Sequence, residues 1–113
     1  MAVEDRPWGY YEILHEEKNC KVKKITVNPG ERLSYQYHQK RSEVWTITQG
    51  EAYMLLNDEL QLYTYGDTIR IPQGVKHRVE NKSSEDLIFI EVQYGTYFGE
   101  DDIIRIEDDY NRQ

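Results

Sequence analysis

Short runs of alternating apolar and polar residues, each stopped by a glycine, proline or asparagine turn, recur along this chain every ~8–12 residues. That rhythm leaves little choice of fold. KVKKITVNPG (21–30) sets Val22, Ile25 and Val27 in a β-branched run and closes on Pro-Gly. VWTITQG (44–50) alternates and ends at Gly50. EAYMLLNDELQLYTYGD (51–67) reads as two strands around Asn57–Asp58, a hairpin signal. TIRIPQG (68–74) is a short strand ended by Pro72 and Gly74, and KHRVEN (76–81) and DLIFIEVQYG (86–95) flank the polar turn NKSSED. This spacing is that of an all-β sandwich or barrel. LHEEKN (14–19) is read as a hairpin loop, and the acidic tail GEDDIIRIEDDYNRQ as a short helix or a segment packed along the barrel rim. No linker, repeat or low-complexity segment interrupts the 113 residues, so one domain over 1–113 is expected.

Charge and composition narrow the function classes. Hydrophobic residues make up 38% of the chain and charged residues 31%, which is polar for a small domain, but ten Tyr and two Trp help to complete a core. A net charge of −7 disfavours nucleic acid as a partner, because that recognition rests on clustered Lys and Arg. The 14 basic residues still leave enough to hold a small anion in a pocket. No apolar run approaches the ~20 residues of a membrane span, so no membrane partner is expected. MAVEDRPWGY lacks a signal pattern. The single cysteine, Cys20, is read as a small strand residue; with no internal disulfide possible, a cytoplasmic location is expected.

The residues that carry chemistry fall in GERLSYQYHQKRSEVWTITQG (30–50) and GDTIRIPQGVKHRVEN (66–81). Side chains two apart on a strand share a face, so Gln36 and His38 can point inward together. Glu43 is at odd offset from His38, and the polar QKRS between them supplies a turn; the next strand then puts Glu43, Trp45 and Ile47 on one face. His77 arrives from a distant strand after the Pro72–Gly74 bend. An amide oxygen, two imidazoles and a carboxylate converging from separate strands suit a divalent first-row metal. The remaining histidine, His15, is expected at the surface.

Taken at full length, these segments resemble the paired motifs of the cupin superfamily, which implies a double-stranded β-helix, or jelly-roll, barrel. Gln36 stands where that superfamily usually carries a first histidine. Gln-x-His followed by Arg-x-Glu-x-Trp (36–45), the opening RPWGYYEIL (6–14), GVKHRVEN and the closing IEVQYGTYFGEDDIIRIEDDYNR resemble the cupin half of type II phosphomannose isomerases. That half usually follows a mannose-1-phosphate guanylyltransferase domain. Since 113 residues leave no room for such a domain, a stand-alone cupin is expected, with a separate guanylyltransferase chain as a possible partner.

The resemblance implies interconversion of mannose 6-phosphate and fructose 6-phosphate. Such chemistry needs a cation to polarise the carbonyl, a base to move a carbon-bound proton, and a cationic group for the phosphate. The metal is expected on Gln36, His38, Glu43 and His77, and the harder oxygen donor favours Zn²⁺, with Mn²⁺, Co²⁺ and Ni²⁺ open. Glu91, in the apolar FIEVQ, is a candidate base if it faces inward, with Gln93 on its face; the alternative is a solvated edge-strand carboxylate. Arg41 matches the arginine two before the metal glutamate, and Arg41, Lys40 and Lys76 are the candidate substrate contacts, whereas Arg78 should point away. Glu100 and Asp101 match the closing segment or cap a terminal turn. Trp8 and Trp45 are read as packing residues. Tyr35 and Tyr37 lie on the face opposite Gln36, and that face and an exchanged RPWGYYEIL strand imply a homodimer. Two alternatives stand beside the isomerase: a metal-bearing sugar-phosphate or sugar-nucleotide binding cupin without catalysis, and another metal-dependent cupin enzyme.

Overall fold

The alternating runs become strands, and the turn residues close them. A computed structural model describes residues 2–110. Its strands are β1 (Val3–Arg6), β2 (Gly9–Glu16), β3 (Cys20–Val27), β4 (Tyr35–Tyr37), β5 (Arg41–Gln49), β6 (Ala52–Leu56), β7 (Glu59–Tyr63), β8 (Thr68–Ile71), β9 (His77–Glu80), β10 (Leu87–Gly95) and β11 (Ile104–Glu107). They form a six-stranded sheet, β1-β2-β3-β10-β5-β8, and a five-stranded sheet, β11-β4-β9-β6-β7. Neighbouring strands are antiparallel throughout. This is the two-sheet jelly-roll expected from the sequence. Among the described residues no helix is long and apolar enough to cross a membrane.

Turn chemistry accounts for the connections. Asn57 and Asp58 both have positive φ, 46° and 69°, the left-handed pair that a two-residue β-hairpin requires, and β6 and β7 pair residue for residue around them. Gly50 has φ 85°, and a Cβ there would lie 2.9 Å from the Asp86 carbonyl oxygen, so only glycine lets β5 leave the sheet this close to the start of β10. LHEEKN forms the β2–β3 hairpin end as read, closed by Glu17 N–H donating to the Cys20 carbonyl. RPWGYYEIL pairs within its own chain, β2 lying along β3.

The tail departs from the helical alternative. Ile104 and Ile106 alternate with polar residues, and β4 offers a free edge, so residues 104–107 extend that sheet, with Ile104 opposite Tyr37 and Arg105 opposite Gln36. The last residues of the expected tail, 111–113, lie outside the described residues.

A core of Ile25, Val27, Trp45, Ile47, Ala52, Met54, Ile69, Ile71, Val79, Leu87 and Phe89 fills the space between the sheets. It fills one end of the barrel and reaches, through Trp8, Tyr11 and Leu33, the wall of a cavity in the other. Moving along the inward faces, β3 passes from Val27 and Ile25 to Lys23 and Lys21, β5 from Ile47 and Trp45 to Glu43 and Arg41, and β10 from Leu87 and Phe89 to Glu91 and Gln93. The other end of the interior is therefore charged.

Candidate metal centre

His38, Glu43 and His77 meet at that charged end, each offering a ligand atom within 4.8 Å of the others. Each is 4% exposed or less. Glu43 comes from β5 and His77 opens β9, while His38 lies just past β4. Gly74, at φ 83°, shapes the turn before β9, and its N–H donates to the His38 carbonyl at 2.8 Å, so the two histidine-bearing segments are tied together. Gln36 is buried, lines the same cavity and sits directly opposite His77 across the β4–β9 pair.

Hydrogen bonding fixes which ring nitrogens face the cavity. His38 Nδ1 lies 2.8 Å from the Asp102 carbonyl and His77 Nδ1 3.0 Å from the Val75 carbonyl. A carbonyl only accepts, so each Nδ1 carries the proton and each Nε2 keeps its lone pair. Burial holds both imidazoles neutral: it pulls His38 down to about 4, with Glu43 resisting, and lowers His77 as well. Burial alone would raise the Glu43 carboxyl, but the positive charge the two rings take up in acid, Arg41 and the Trp45 N–H outweigh it and hold it at about 2. Trp45 Nε1 donates to Glu43 Oε1 and Arg41 Nε to Oε2, each at 2.9 Å.

The donor set fits a divalent cation on one observation. Glu43 Oε2, ionised, stands 3.3 Å from His38 Nε2, a neutral nitrogen with no proton to share. Arg41 Nε donates to that oxygen at 2.9 Å, but the nitrogen has only a long contact, 3.4 Å, from Arg41 Nη2, and neither acceptor offers the other a proton. A cation between them relieves that opposition, and two imidazoles with a carboxylate are ligands of the borderline first-row metals.

The cavity continues past the triad. Glu91 faces inward, 4% exposed, and burial, with repulsion from Glu43, pushes its carboxyl up to about 8. Gln93 Nε2 donates to Glu91 Oε2 at 2.5 Å. Arg41 and Glu100 line the same space, as do Lys23 and Arg105, which local sequence reasoning did not single out. Alternation held a signal for Lys23, which is in phase with Ile25 and Val27 on β3 and only 3% exposed. Nothing local marked Asp102, whose carbonyl orients His38 and whose carboxylate accepts the Gln39 and Lys40 backbone N–H groups.

Other expected contacts lie elsewhere. Lys40 and Lys76 are exposed and do not line the cavity; Lys40 Nζ sits 5.0 Å from the Tyr97 ring centroid. Arg78 points away as expected, donating to the Leu33 carbonyl at 2.8 Å and pairing with Glu107 at 3.1 Å. Asp101 bonds the Tyr97 hydroxyl and is exposed. Tyr35 is buried under its own chain, its hydroxyl donating to Asp58 at 2.7 Å. His15 is exposed and bonds Glu17 at 2.9 Å, beside the half-buried Cys20. Trp45 stacks on Phe89 with centroids 4.2 Å apart, and Trp8 is buried at the cavity wall.

Two antiparallel sheets with a polar pocket at one end make the cupin fold. The cupin domain of Cnp3 from Schizosaccharomyces pombe superposes with a TM-score of 0.78 over 84% of this chain and 69% of that one, at 11% identity, which speaks to the fold alone. The chain belongs to the family described as mannose-6-phosphate isomerase C-terminal, whose model matches residues 2–108. Among curated relatives, it is 46% identical over 107 residues to the xanthan biosynthesis protein XanB of Xanthomonas campestris and 44% identical over 107 residues to a mannose-1-phosphate guanylyltransferase of Salmonella montevideo. Both matches cover 95% of this chain but only 23% of the relative.

These relatives correct the expected activity. The family description carries the word isomerase, yet the Salmonella relative is named a guanylyltransferase, and the interconversion of mannose 6-phosphate and fructose 6-phosphate is not carried over to this chain. The physical reason is that a group such as His38, Glu43 and His77, which could hold a cation, serves many reactions on one fold.

Proposed function

We propose that this domain is a metal-bearing cupin that binds a phosphorylated hexose of the mannose 1-phosphate kind, or the sugar nucleotide made from it. The observation that carries the proposal is the buried His38–Glu43–His77 triad opening onto a cavity lined by Arg41 and Lys23. The name of the guanylyltransferase relative supports the sugar phosphate as ligand. His38 Nε2, Glu43, His77 Nε2 and the Gln36 amide oxygen hold the ion, and zinc suits that set best. When bound, it supplies positive charge to an oxygen of the ligand. Arg41 faces the phosphate, and Glu91, kept neutral by burial at pH 7, donates a hydrogen bond to a ligand oxygen. Nucleotidyl transfer itself belongs, in this proposal, to a separate guanylyltransferase unit, and a second copy of the chain is a further partner of the domain.

Metal analysis of the purified protein, followed by calorimetric titration with mannose 1-phosphate before and after chelation, tests this. The expected result is close to one metal per chain and sugar-phosphate binding that chelation weakens. A protein that takes up no divalent metal, or one that is metal-loaded yet binds neither mannose 1-phosphate nor its nucleotide sugar, overturns it. Manganese, cobalt or nickel in place of zinc would correct only the ion.

A further inference from the structure

Lys23 is an ammonium buried on the inward face of β3, and a buried cation requires an anion. Its anion is Glu100, at 3.0 Å, from a segment 77 residues later in the chain. The Glu100 side chain is 36% exposed and comes from residues 96–103, the stretch between β10 and β11. The Lys23 side chain is 4% exposed, as is that of Arg41 on the far side of the carboxylate.

Glu100 satisfies these two cations unequally. The oxygen that bonds Lys23, Oε2, lies 3.7 Å from Arg41 Nη1. A charge-assisted hydrogen bond would be about 2.7–2.9 Å. Arg41 Nη1 is buried and has no hydrogen-bond partner among the described residues. Arg41 cannot turn to meet Glu100, because its Nε is committed to Glu43 at 2.9 Å. One planar carboxylate therefore reaches one cation well and leaves the other an unused donor. A tetrahedral phosphate has more oxygens, set at wider angles, and carries up to twice the charge.

We infer that Lys23 and Arg41 form the phosphate seat of this pocket and that the Glu100 carboxylate is a displaceable stand-in, occupying the seat until a phosphate monoester replaces it. The inference rests on the sugar-phosphate reading above and adds to it a named subsite and a built-in competitor. Arg41 links the seat to the triad through Glu43, so a ligand with its phosphate there has its sugar on the side of His38 and His77. Displaced, the carboxylate moves into water, which its exposure allows. Lys23 and Arg41 then exchange an internal anion for an external one, and segment 96–103 loses one of its ties to the barrel interior, those of Asp102 to His38, Gln39 and Lys40 remaining.

The test is calorimetry of zinc-loaded protein with mannose 1-phosphate and with inorganic phosphate, wild type against Glu100→Gln. With the competing charge removed, affinity should rise about tenfold, while metal content stays at the wild-type value. Hydrogen exchange on the wild-type protein gives a second reading that needs no variant: phosphate should speed exchange of the amides at 96–103. If Glu100→Gln binds phosphate no better than wild type, or if phosphate slows or does not alter exchange there, Glu100 is not a stand-in. Metal uptake with no phosphate binding by either form overturns the inference and the sugar-phosphate reading together. Metal binding and phosphate binding without the Glu100 effect overturn the inference alone.

Discussion

Phe89 and Glu91 are successive inward-facing residues on one strand, yet they live in different solvents. Phe89 lies opposite Ile25 on one side and Ile47 on the other and stacks on Trp45. Glu91 lies opposite Lys23 and Trp45, and Gln93 beyond it lies opposite Lys21 and Glu43. The same three strands thus supply a dry half and a charged half of one interior. The dry half holds the sheets together by area removed from water, at ~25 cal/mol per Å². The charged half is favourable only when every group is paired, since an unpaired buried charge costs several kcal/mol. Trp45 stands on the border, its ring in the dry half and its N–H on Glu43. The division shows how a small barrel combines a core with a buried polar cavity: the apolar end folds the chain, and the polar end is lined by the strands it shares.

Substitutions on either side of the border should therefore fail differently. Glu43→Ala should have the largest effect, because it removes a member of the candidate metal triad and strands Arg41, which is 4% exposed. Metal content should fall to background and stability by about 3–5 kcal/mol, read by elemental analysis and urea unfolding. Phe89→Ala should cost a similar ~3–5 kcal/mol through the cavity it leaves, but the folded fraction should still bind metal at the wild-type ratio. If Phe89→Ala lost metal in proportion to stability while Glu43→Ala kept it, the two halves would not be separable.

The dry half was legible in the sequence because period-two alternation is a local property. The strands, the Asn57–Asp58 hairpin and the inward phase of Glu43, Trp45 and Ile47 all follow from it. His38 and His77 were also legible, since a turn and a Pro-Gly bend set their approach. What escaped depended on partners far along the chain. The tail was open to a helical reading because its acidic residues mask the Ile104–Ile106 alternation, and only the free edge of β4 makes a strand worthwhile there. Lys23 had the phase of a core residue but the chemistry of a surface one. The carboxylate that resolves the conflict, Glu100, is invisible to any local window. The activity was read too finely, since ligand residues identify a cation's place and not the reaction performed at it.

Glu91 sharpens the comparison through pH. Its carboxyl is raised to about 8 in the fold by burial first and Glu43 second, against an unfolded value near the ordinary 4.5. Between those values the folded state holds a proton that the unfolded state has lost. Stability from this group is therefore complete below about pH 4.5 and declines as pH rises toward 8, by at most about 1.4 kcal/mol per pH unit. Glu91→Gln, which keeps the shape and cannot ionise, should remove that decline. Its stability relative to wild type should rise across the same window, measured as urea midpoints from pH 5 to 8.5. Parallel curves for the two proteins would place Glu91 in contact with water or with a charge that keeps it ionised.

The smallest effects should come from Lys40 and Lys76, and they test whether nearness in sequence to a ligand means nearness to the site. Lys40 is one residue before Arg41, and Lys76 one before His77, but a neighbour along a strand points to the opposite face. Both are exposed and outside the cavity wall, whereas Arg41 and Lys23 are within it. Lys40→Ala and Lys76→Ala should each stay within about 0.5 kcal/mol of wild type in stability and within about twofold in mannose 1-phosphate affinity at 0.15 M salt, where exposed charges are screened. Arg41→Ala should lose far more affinity, about a hundredfold, as a buried donor to phosphate does. If either lysine variant weakened binding as much as Arg41→Ala, the ligand would have to extend out of the barrel mouth, and the charged half of the interior would be only the inner part of the site.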